Sequence, residues 1–323
     1  MRSGWVKRTD KPGRKMGLVP KILLWAFGIL VILALVAAIY LAIKIFAVGG
    51  KIHNPLDRDK SELRKEKVDL NKGDPFTIAL FGVDSNEKRQ SEGDGQRSDS
   101  IMVLSINPDK KTTEIVSIPR DTQAEIVGHD SVEKINHAYA YGGPDMAVKS
   151  LEKLLDVPID HYATVDMDGI KGMVDEIGGV DVISNATFSY SGYCFVKGEK
   201  THLDGDKALA FIRSRKEEGA GGDFGRQERQ QLVLRGIANE LTSVKSLTNF
   251  NGVTDQIKEN VTTDLSLGEL NTVRSKYQKA NENMNRLELQ GGGGIQSDGV
   301  YYFVPDESSL NNVSNALRQN LEL

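Results

Sequence analysis

A stretch of 22 residues without a charge, Ile22 to Ile43, constrains this chain more than any other sequence feature. As a helix it is long enough to cross a hydrocarbon core of about 30 Å. Trp25 and Tyr40 lie near its two ends, where aromatic rings favour the membrane interface. The run is also longer than the apolar region of a signal peptide, which is roughly 7–15 residues. We therefore predict one transmembrane helix within an anchor over residues 22–48.

The charges around this run predict how the chain is oriented. Residues 1–21 carry seven basic groups and one acidic group, a net charge of +6; the whole chain carries −4, so residues 22–323 carry −10. Because basic segments remain cytoplasmic, we expect a cytoplasmic tail over residues 1–21. The predicted location is the cell membrane, in a single-pass topology with the large domain extracellular. An acidic domain lacks the basic footprint for nucleic acid, so no nucleic-acid partner is expected.

The remaining chain predicts a stalk and one domain. Residues 49–74 mix charges of both signs and are expected to be a solvated spacer, followed by a domain over residues 75–323. Apolar runs at Phe76–Val83, Ser100–Ile106 and Thr113–Ile118 predict strands. Further strands are predicted at 159–165, 180–183 and 300–304, and helices at 144–155, 169–177, 206–211, 224–241, 266–280 and 307–320. This interleaving predicts an α/β fold in which helices flank a mixed sheet, an α-β-α sandwich. Gly291–Gly294 is interpreted as a flexible hairpin connection.

Two of these strands predict a cluster of charges at one edge of the sheet. If Ile106 and Thr113 close a hairpin, the same register places Asp99 opposite Arg120, and directly paired residues lie about 5 Å apart. Asp84 ends the first strand. It reaches the same edge if that strand lies beside Thr113–Ile118 and runs parallel to it.

A second cluster of polar residues lies further along the chain. Arg226 and Gln230 are four residues apart on a predicted helix, along its apolar side, so we expect them to face a pocket. Asp223 is placed to cap that helix. Arg213 and Arg215 point to one face if their segment is extended and are splayed if it is helical. The sequence leaves these two possibilities open.

Together the two clusters contain the groups that bind a metal-bound diphosphate. Carboxylates are the oxygen ligands that Mg²⁺ prefers, and guanidinium groups match the geometry of phosphate. Such a site can hold a pyrophosphate while a carboxylate takes a proton from an attacking hydroxyl. For each residue taken alone, a surface ion pair is the alternative interpretation.

Several motifs, in this order, resemble the signature of the LytR-CpsA-Psr family. They are Gly82–Asp84, Arg97–Ser100, Ile118–Thr122, Lys134–Tyr139, Ala208–Phe211 with Arg213–Arg215, and Asp223–Gln230. The resemblance runs from about Pro75 to Leu241, and the anchor and stalk agree with the layout of that family.

The resemblance implies a membrane-anchored phosphotransferase that uses Mg²⁺, with Mn²⁺ as an alternative. Its donor would be an anionic glycopolymer, such as wall teichoic acid or capsule, on a polyprenyl pyrophosphate carrier, and its acceptor a peptidoglycan sugar hydroxyl. By position, the metal-side carboxylates would be Asp84 and Asp99, and the pyrophosphate-binding groups Arg97, Arg120, Arg213, Arg215, Arg226 and Gln230. Asp99, Arg120 and Asp121 would be the catalytic residues, with Asp99 or Asp121 as the base and Asp223 orienting nearby arginines.

Two other functions remain as alternatives. A hydrolase of polyprenyl pyrophosphate-linked substrates would use the same residues with water as the acceptor. A membrane-bound transcriptional attenuator is disfavoured because a 21-residue cytoplasmic tail is too short to fold as a DNA-reading module.

Overall fold

The structure is a computed structural model that describes residues 50–84, 96–167, 169–241 and 250–323. These residues fall in one structural unit, residues 47–323. The predicted cytoplasmic tail (1–21) and anchor (22–48) lie outside the described residues. Within the described ranges, no helix is both long enough and apolar enough to span a bilayer.

Fourteen strands and seven helices make up the described domain. The strands are β1 (Phe76–Asp84), β2 (Arg97–Asn107), β3 (Thr112–Ile118), β4 (Gln123–Ile126), β5 (Ser131–Lys134), β6 (His161–Asp166), β7 (Val180–Ile183), β8 (Phe188–Tyr190), β9 (Tyr193–Phe195), β10 (Lys200–Leu203), β11 (Val261–Thr263), β12 (Asn283–Leu287), β13 (Gly291–Ile295) and β14 (Tyr301–Pro305). The helices are α1 (Asn136–Leu155), α2 (Gly169–Glu176), α3 (Gly205–Arg213), α4 (Gly222–Leu241), α5 (Phe250–Asn260), α6 (Leu267–Lys276) and α7 (Glu307–Asn320), with a 3₁₀ turn at Gln278–Asn281.

Six of the strands form a mixed central sheet in the order β11-β6-β1-β2-β3-β12. The β2–β3 hairpin has the predicted register, with Ile106 paired to Thr113. Strand β2 lies between β1 and β3, so the expectation that β1 lies beside β3 is wrong. Because both are antiparallel to β2, β1 and β3 nevertheless run in the same direction. Their C-terminal ends therefore lie at the same edge of the sheet.

Helices cover both faces of this sheet, which confirms the predicted α-β-α arrangement. Alternate residues of β1, including Ala79 and Phe81, pack in one core with apolar residues of α1 and α7. On the other face, Val165 of β6 packs against a second core built from α2, α3 and α4. This division follows from the two-residue repeat of strands, which sends successive side chains to opposite faces.

The charged segment expected to be a solvated stalk packs onto the domain. Arg58 forms a two-pronged pair with Glu152, and Arg64 forms one with Asp160, in which its Nη2 lies 2.6 Å from Oδ2. The side chains of the second pair are only 9% and 6% exposed. Planar guanidinium forks match carboxylates in this geometry. The segment therefore belongs to the folded unit rather than to a spacer.

The glycine run is a strand rather than a loop. Gly291–Ile295 forms β13 and pairs antiparallel with β14. A Cβ on Gly291 would lie 2.2 Å from the carbonyl oxygen of Val304, and one on Gly293 would lie 2.0 Å from the Tyr301 hydroxyl. Glycine is therefore required at 291 by the close approach of a main-chain atom and not by a turn conformation, whereas a Cβ at 293 would displace the Tyr301 side chain. Helix α1 also begins eight residues before the predicted start, across a kink at Gly142 and Gly143.

Candidate active site

Asp99 is presented to the edge of the sheet by an irregularity in β2. Gly82 pairs with Ser100 and Val83 pairs with Ser98, so Asp99 is the extra residue of a β-bulge. Bulges interrupt the alternation of side chains and re-aim one of them, often beside an active site. Arg120 donates a hydrogen bond of 2.7 Å from Nη1 to Oδ1 of Asp99. The predicted juxtaposition of these two residues is thus present in the structure.

Further ion pairs connect Arg120 to Asp121 and Asp121 to Lys134. Arg120 Nε lies 3.7 Å from Oδ2 of Asp121, and Lys134 Nζ lies 2.8 Å from Oδ1 of the same carboxylate. The four side chains are between 17% and 25% exposed, so their charges interact more strongly than they would in water. Lys134 was not among the predicted site residues, although it opens one of the recognised motifs. Only the pairing of β4 with β5 brings it back to Asp121.

A cavity of about 220 Å³ lies beside these charges. Its lining is Pro119, Arg120, Asp121, Arg226, Gln227, Tyr301 and Phe303. Arg226, on the first turns of α4, therefore shares one cavity with Arg120 and Asp121, which are 106 and 105 positions away in the sequence. Two guanidinium groups at one cavity can bind an anion such as a phosphate. The carboxylate beside them can take a proton from a hydroxyl that attacks this anion.

Five buried oxygens near the charged residues make no hydrogen bond within the described part of the chain. They are Ser98 Oγ, Ser100 Oγ, Asn136 Oδ1, Gln227 Oε1 and Gln230 Oε1. The two serines flank Asp99, and the main-chain N–H of Asn136 donates to the carbonyl oxygen of Arg120 at 3.3 Å. Most buried polar side-chain atoms in folded proteins are paired. Their concentration at this edge indicates a region built for a polar ligand.

The remaining predicted arginines lie on different elements of the domain. Arg97 begins β2, with its Cα paired to that of Asp84. Arg213 is the last residue of α3 and is exposed, and Arg215 follows after Ser214, which has an extended backbone. Arg213 therefore lies on the helix and Arg215 lies beyond its end. The segment is neither wholly extended nor wholly helical, which were the two possibilities that the sequence left open. Neither of them lines the 220 Å³ cavity.

Asp84 and Asp223 are described through their backbones alone. Asp84 ends β1 at the same edge as Asp99. Asp223 lies inside the first turn of α4, which begins at Gly222, so it is not the residue that precedes the helix. Among the described residues, no group of three or more His, Cys, Asp or Glu side chains is arranged to hold a metal ion.

Arg229 is a positioning residue that sequence reasoning missed. It is 0% exposed, and its guanidinium donates to the carbonyl oxygens of Phe211, Ser214 and Ala220 at 2.9, 2.6 and 2.8 Å. Burial lowers the pKa of Arg229 to about 10. Its guanidinium also lies 4.6 Å from the ring centre of Phe188. One side chain of α4 thereby fixes the segment that carries Arg213 and Arg215.

A second electrostatic cluster lies next to Lys134. Glu133 Oε2 is 2.7 Å from Nδ1 of His137 and accepts a hydrogen bond of 2.9 Å from the Tyr141 hydroxyl. Burial raises the pKa of the Glu133 carboxyl, but hydrogen bonds from His137, Ser131 and Tyr141 outweigh it and lower the pKa to about 2. The cluster joins the end of β5 to the start of α1, and so helps to hold Lys134 in place.

Comparisons with known proteins agree with the motifs. Residues 39–319 match the LytR_cpsA_psr family, and the chain belongs to that family. It is 39% identical over 315 residues to the polyisoprenyl-teichoic acid–peptidoglycan teichoic acid transferase TagU of Bacillus subtilis, covering 98% of this chain and 99% of the relative. The recognised resemblance is therefore confirmed.

Solved structures give the same fold. A crystal structure of a protein from Enterococcus faecalis, described as a transcriptional regulator, superposes with a TM-score of 0.68 at 34% identity, covering 80% of this chain and 91% of that one. The structure of TagT bound to LIIa-WTA superposes with a TM-score of 0.67 at 29% identity, covering 84% of this chain and 100% of that one.

Proposed function

We propose that this protein is an enzyme that transfers an anionic glycopolymer, such as wall teichoic acid, from a polyprenyl pyrophosphate carrier to a peptidoglycan sugar hydroxyl. The observation that carries the proposal is the meeting of Arg120, Asp121 and Arg226 at one cavity, with Asp99 bonded to Arg120. The relative TagU is named for transfer of teichoic acid from a polyisoprenyl carrier to peptidoglycan, which supports this donor and acceptor.

The bonds and charges of such a transfer fit the groups around the cavity. The acceptor hydroxyl oxygen forms a bond to the phosphorus that bears the polymer, and the bond from that phosphorus to the bridging oxygen breaks. Polyprenyl phosphate leaves with the electron pair of the broken bond. Arg120 and Arg226 offset the charge on the phosphate oxygens, as guanidinium groups do in phosphoryl transfer.

A carboxylate takes the hydroxyl proton in this scheme. Asp99 and Asp121 are both bonded to cations of the cluster, and of the two Asp121 lines the cavity. We therefore propose Asp121 as the base and Asp99 as the residue that holds Arg120 in position.

An Asp121→Asn enzyme is then expected to lose transfer across the whole pH range, because an amide cannot accept the proton.

We also propose that Mg²⁺ binds at the edge formed by Asp84 and Asp99. Carboxylate oxygens are ligands that Mg²⁺ prefers. The backbone brings the two residues near each other, because β1 and β2 are paired and Asp84 is opposite Arg97, two residues from Asp99. When bound, the ion would neutralise charge on the diphosphate oxygens. Removing divalent ions with a chelator is expected to stop transfer, and added Mg²⁺ to restore it.

The test uses the full-length protein in detergent with a lipid-linked polymer donor, with and without a soluble peptidoglycan oligosaccharide. Arg120→Ala and Asp99→Ala are each expected to lower polymer attachment at least about 100-fold, because each removes charge from the reacting centre. Arg235→Ala is the control, since Arg235 is exposed on the same helix as Arg226. Unchanged thermal unfolding shows that the fold is intact. Full activity in both site variants would exclude this mechanism, and release of free polymer alone would make the enzyme a hydrolase.

For the location, we propose a single-pass membrane protein whose N-terminus is cytoplasmic and whose catalytic domain is extracellular. The uncharged run at 22–43 and the net charge of +6 over residues 1–21 support this topology.

A further inference from the structure

An exposed tyrosine forms one wall of the cavity. Tyr301 is 48% exposed and lines the cavity together with Arg120, Asp121 and Arg226. Phe303, two residues on and therefore on the same face of β14, is buried and also lines the cavity. The cavity thus has a cationic side that carries two guanidinium groups and an uncharged aromatic side.

The hydroxyl end of the Tyr301 ring approaches the glycine strand closely at Gly293. A Cβ on Gly293 would lie 2.0 Å from the Tyr301 hydroxyl oxygen and 2.7 Å from its Cζ, whereas a Cβ on Gly292 or Gly294 would meet nothing within 4 Å. Glycine at 293 therefore allows the ring to approach the strand closely. The hydroxyl end of the ring lies against the strand, and the exposed half of the residue is available to a ligand.

The hairpin that carries this ring is attached to the turn between β3 and β4 that carries Asp121. The main-chain N–H of Phe303 donates to the carbonyl oxygen of Asp121 at 2.9 Å. Thr122 forms a parallel bridge with Phe303. Gln123 and Gln296 exchange two amide hydrogen bonds of 3.1 and 3.0 Å. These contacts fix the position of the hairpin, and with it Tyr301, relative to Asp121.

We propose that Tyr301 is the stacking platform for a sugar ring of the acceptor glycan. This inference rests on the proposed transferase function and adds the place where the acceptor binds. The diphosphate is drawn to the guanidinium side, which leaves the neutral aromatic wall for an uncharged sugar. A sugar ring stacks its C–H face on an aromatic ring, while its hydroxyls remain directed to solvent and to polar groups. Stacking on Tyr301 holds an acceptor hydroxyl beside Asp121, which raises its effective concentration at the reacting phosphorus.

The experiment compares Tyr301→Ala, Tyr301→Phe and Gly293→Ala in the full-length protein. Tyr301→Ala is expected to raise the acceptor KM about 10-fold, the scale of one lost aromatic contact, with the donor KM unchanged. Tyr301→Phe keeps the ring and is expected to stay close to wild type. Gly293→Ala pushes the ring aside and is expected to raise the acceptor KM in the same direction. Gly292→Ala is its matched control, because a Cβ there meets no neighbour.

A binding titration of a soluble peptidoglycan oligosaccharide accompanies the kinetics. Weaker binding to Tyr301→Ala than to wild type supports the platform even if the wild-type protein proves to transfer nothing, an outcome that would reject only the proposed transferase. Equal binding and equal acceptor KM in wild type and Tyr301→Ala overturn the inference while leaving the transferase standing. A rise in donor KM instead of acceptor KM also overturns it, because the ring would then serve the donor.

Discussion

At the residue scale, one inserted residue determines how the acidic edge is built. In a regular β2 strand the side chain of Asp99 would point to the face opposite that of its two neighbours. The bulge opposite Gly82 and Val83 instead leaves Asp99 without a partner residue on β1. Its carboxylate meets Arg120, which in turn approaches Asp121. The hairpin register predicted that Asp99 and Arg120 are close. The bulge itself depends on how β1 pairs with β2, and the sequence of β2 alone does not contain that information.

Replacing Arg229 tests whether a buried guanidinium holds the segment that carries Arg213 and Arg215, at the end of α3. Arg229→Met is expected to lower the free energy of unfolding by about 3 kcal/mol, because three buried carbonyl oxygens lose their donor. Urea unfolding measures the change. Arg235→Met, on an exposed face of the same helix, is the control and is expected to have little effect. Equal stability of the two variants would show that Arg229 does not hold this segment.

The Glu133 cluster predicts a pH dependence of stability. The folded-state pKa of Glu133 is lowered from its usual value of 4.5 to about 2, so the ionised carboxylate stabilises the fold. That contribution is fully present above pH 4.5 and is lost as the pH falls through about 2. Glu133→Gln is expected to be less stable at neutral pH, by at most about 3 kcal/mol, and to lose less stability on acidification. Thermal unfolding of both proteins as a function of pH checks this. Parallel curves would contradict the prediction.

At the element scale, the charged segment over residues 50–74 behaves as part of the domain. Arg64→Met is expected to lower the free energy of unfolding by about 3 kcal/mol, since it leaves the Asp160 carboxylate buried without its partner. Lys67→Met is the matched control from the same segment, because the pair of Lys67 with Asp59 is exposed and is expected to contribute little. Chemical denaturation compares the two variants with wild type. A larger loss in Lys67→Met than in Arg64→Met would refute the packing role of the segment.

The secondary structure of the chain was predictable where periodicity is strong and the segment is long. Strands β1, β2 and β3, the core of α1, and α2, α4 and α7 all follow from apolar spacing. Short hairpins such as β4–β5 and β8–β9 were missed because three or four residues carry too little pattern. The glycine strand was misinterpreted because glycine has low β-propensity, and its place in β13 depends on the Tyr301 ring and the Val304 carbonyl across the hairpin.

At the scale of the whole molecule, the prediction concerns topology. A protease added to intact protoplasts is expected to digest the domain together with the charged segment packed onto it, residues 50–323, while an epitope tag on the N-terminal tail is protected, because the run at 22–43 separates the two. Immunoblotting for the tag and for the domain measures both. A tag lost together with the domain, or a domain protected in unbroken cells, would contradict the orientation.

The sequence by itself determined the residue types of the site, the order of its motifs, the family and the α/β layers. These are local properties, since charge, apolar spacing and motif order can be read along one chain. Only the tertiary structure decided that Arg226, Arg120 and Tyr301 share one cavity, that Lys134 reaches Asp121, and that Arg229 is buried and bonded to the segment at the end of α3. Such contacts join residues far apart in the chain, and they depend on strand order, a bulge and helix packing, which no single segment specifies.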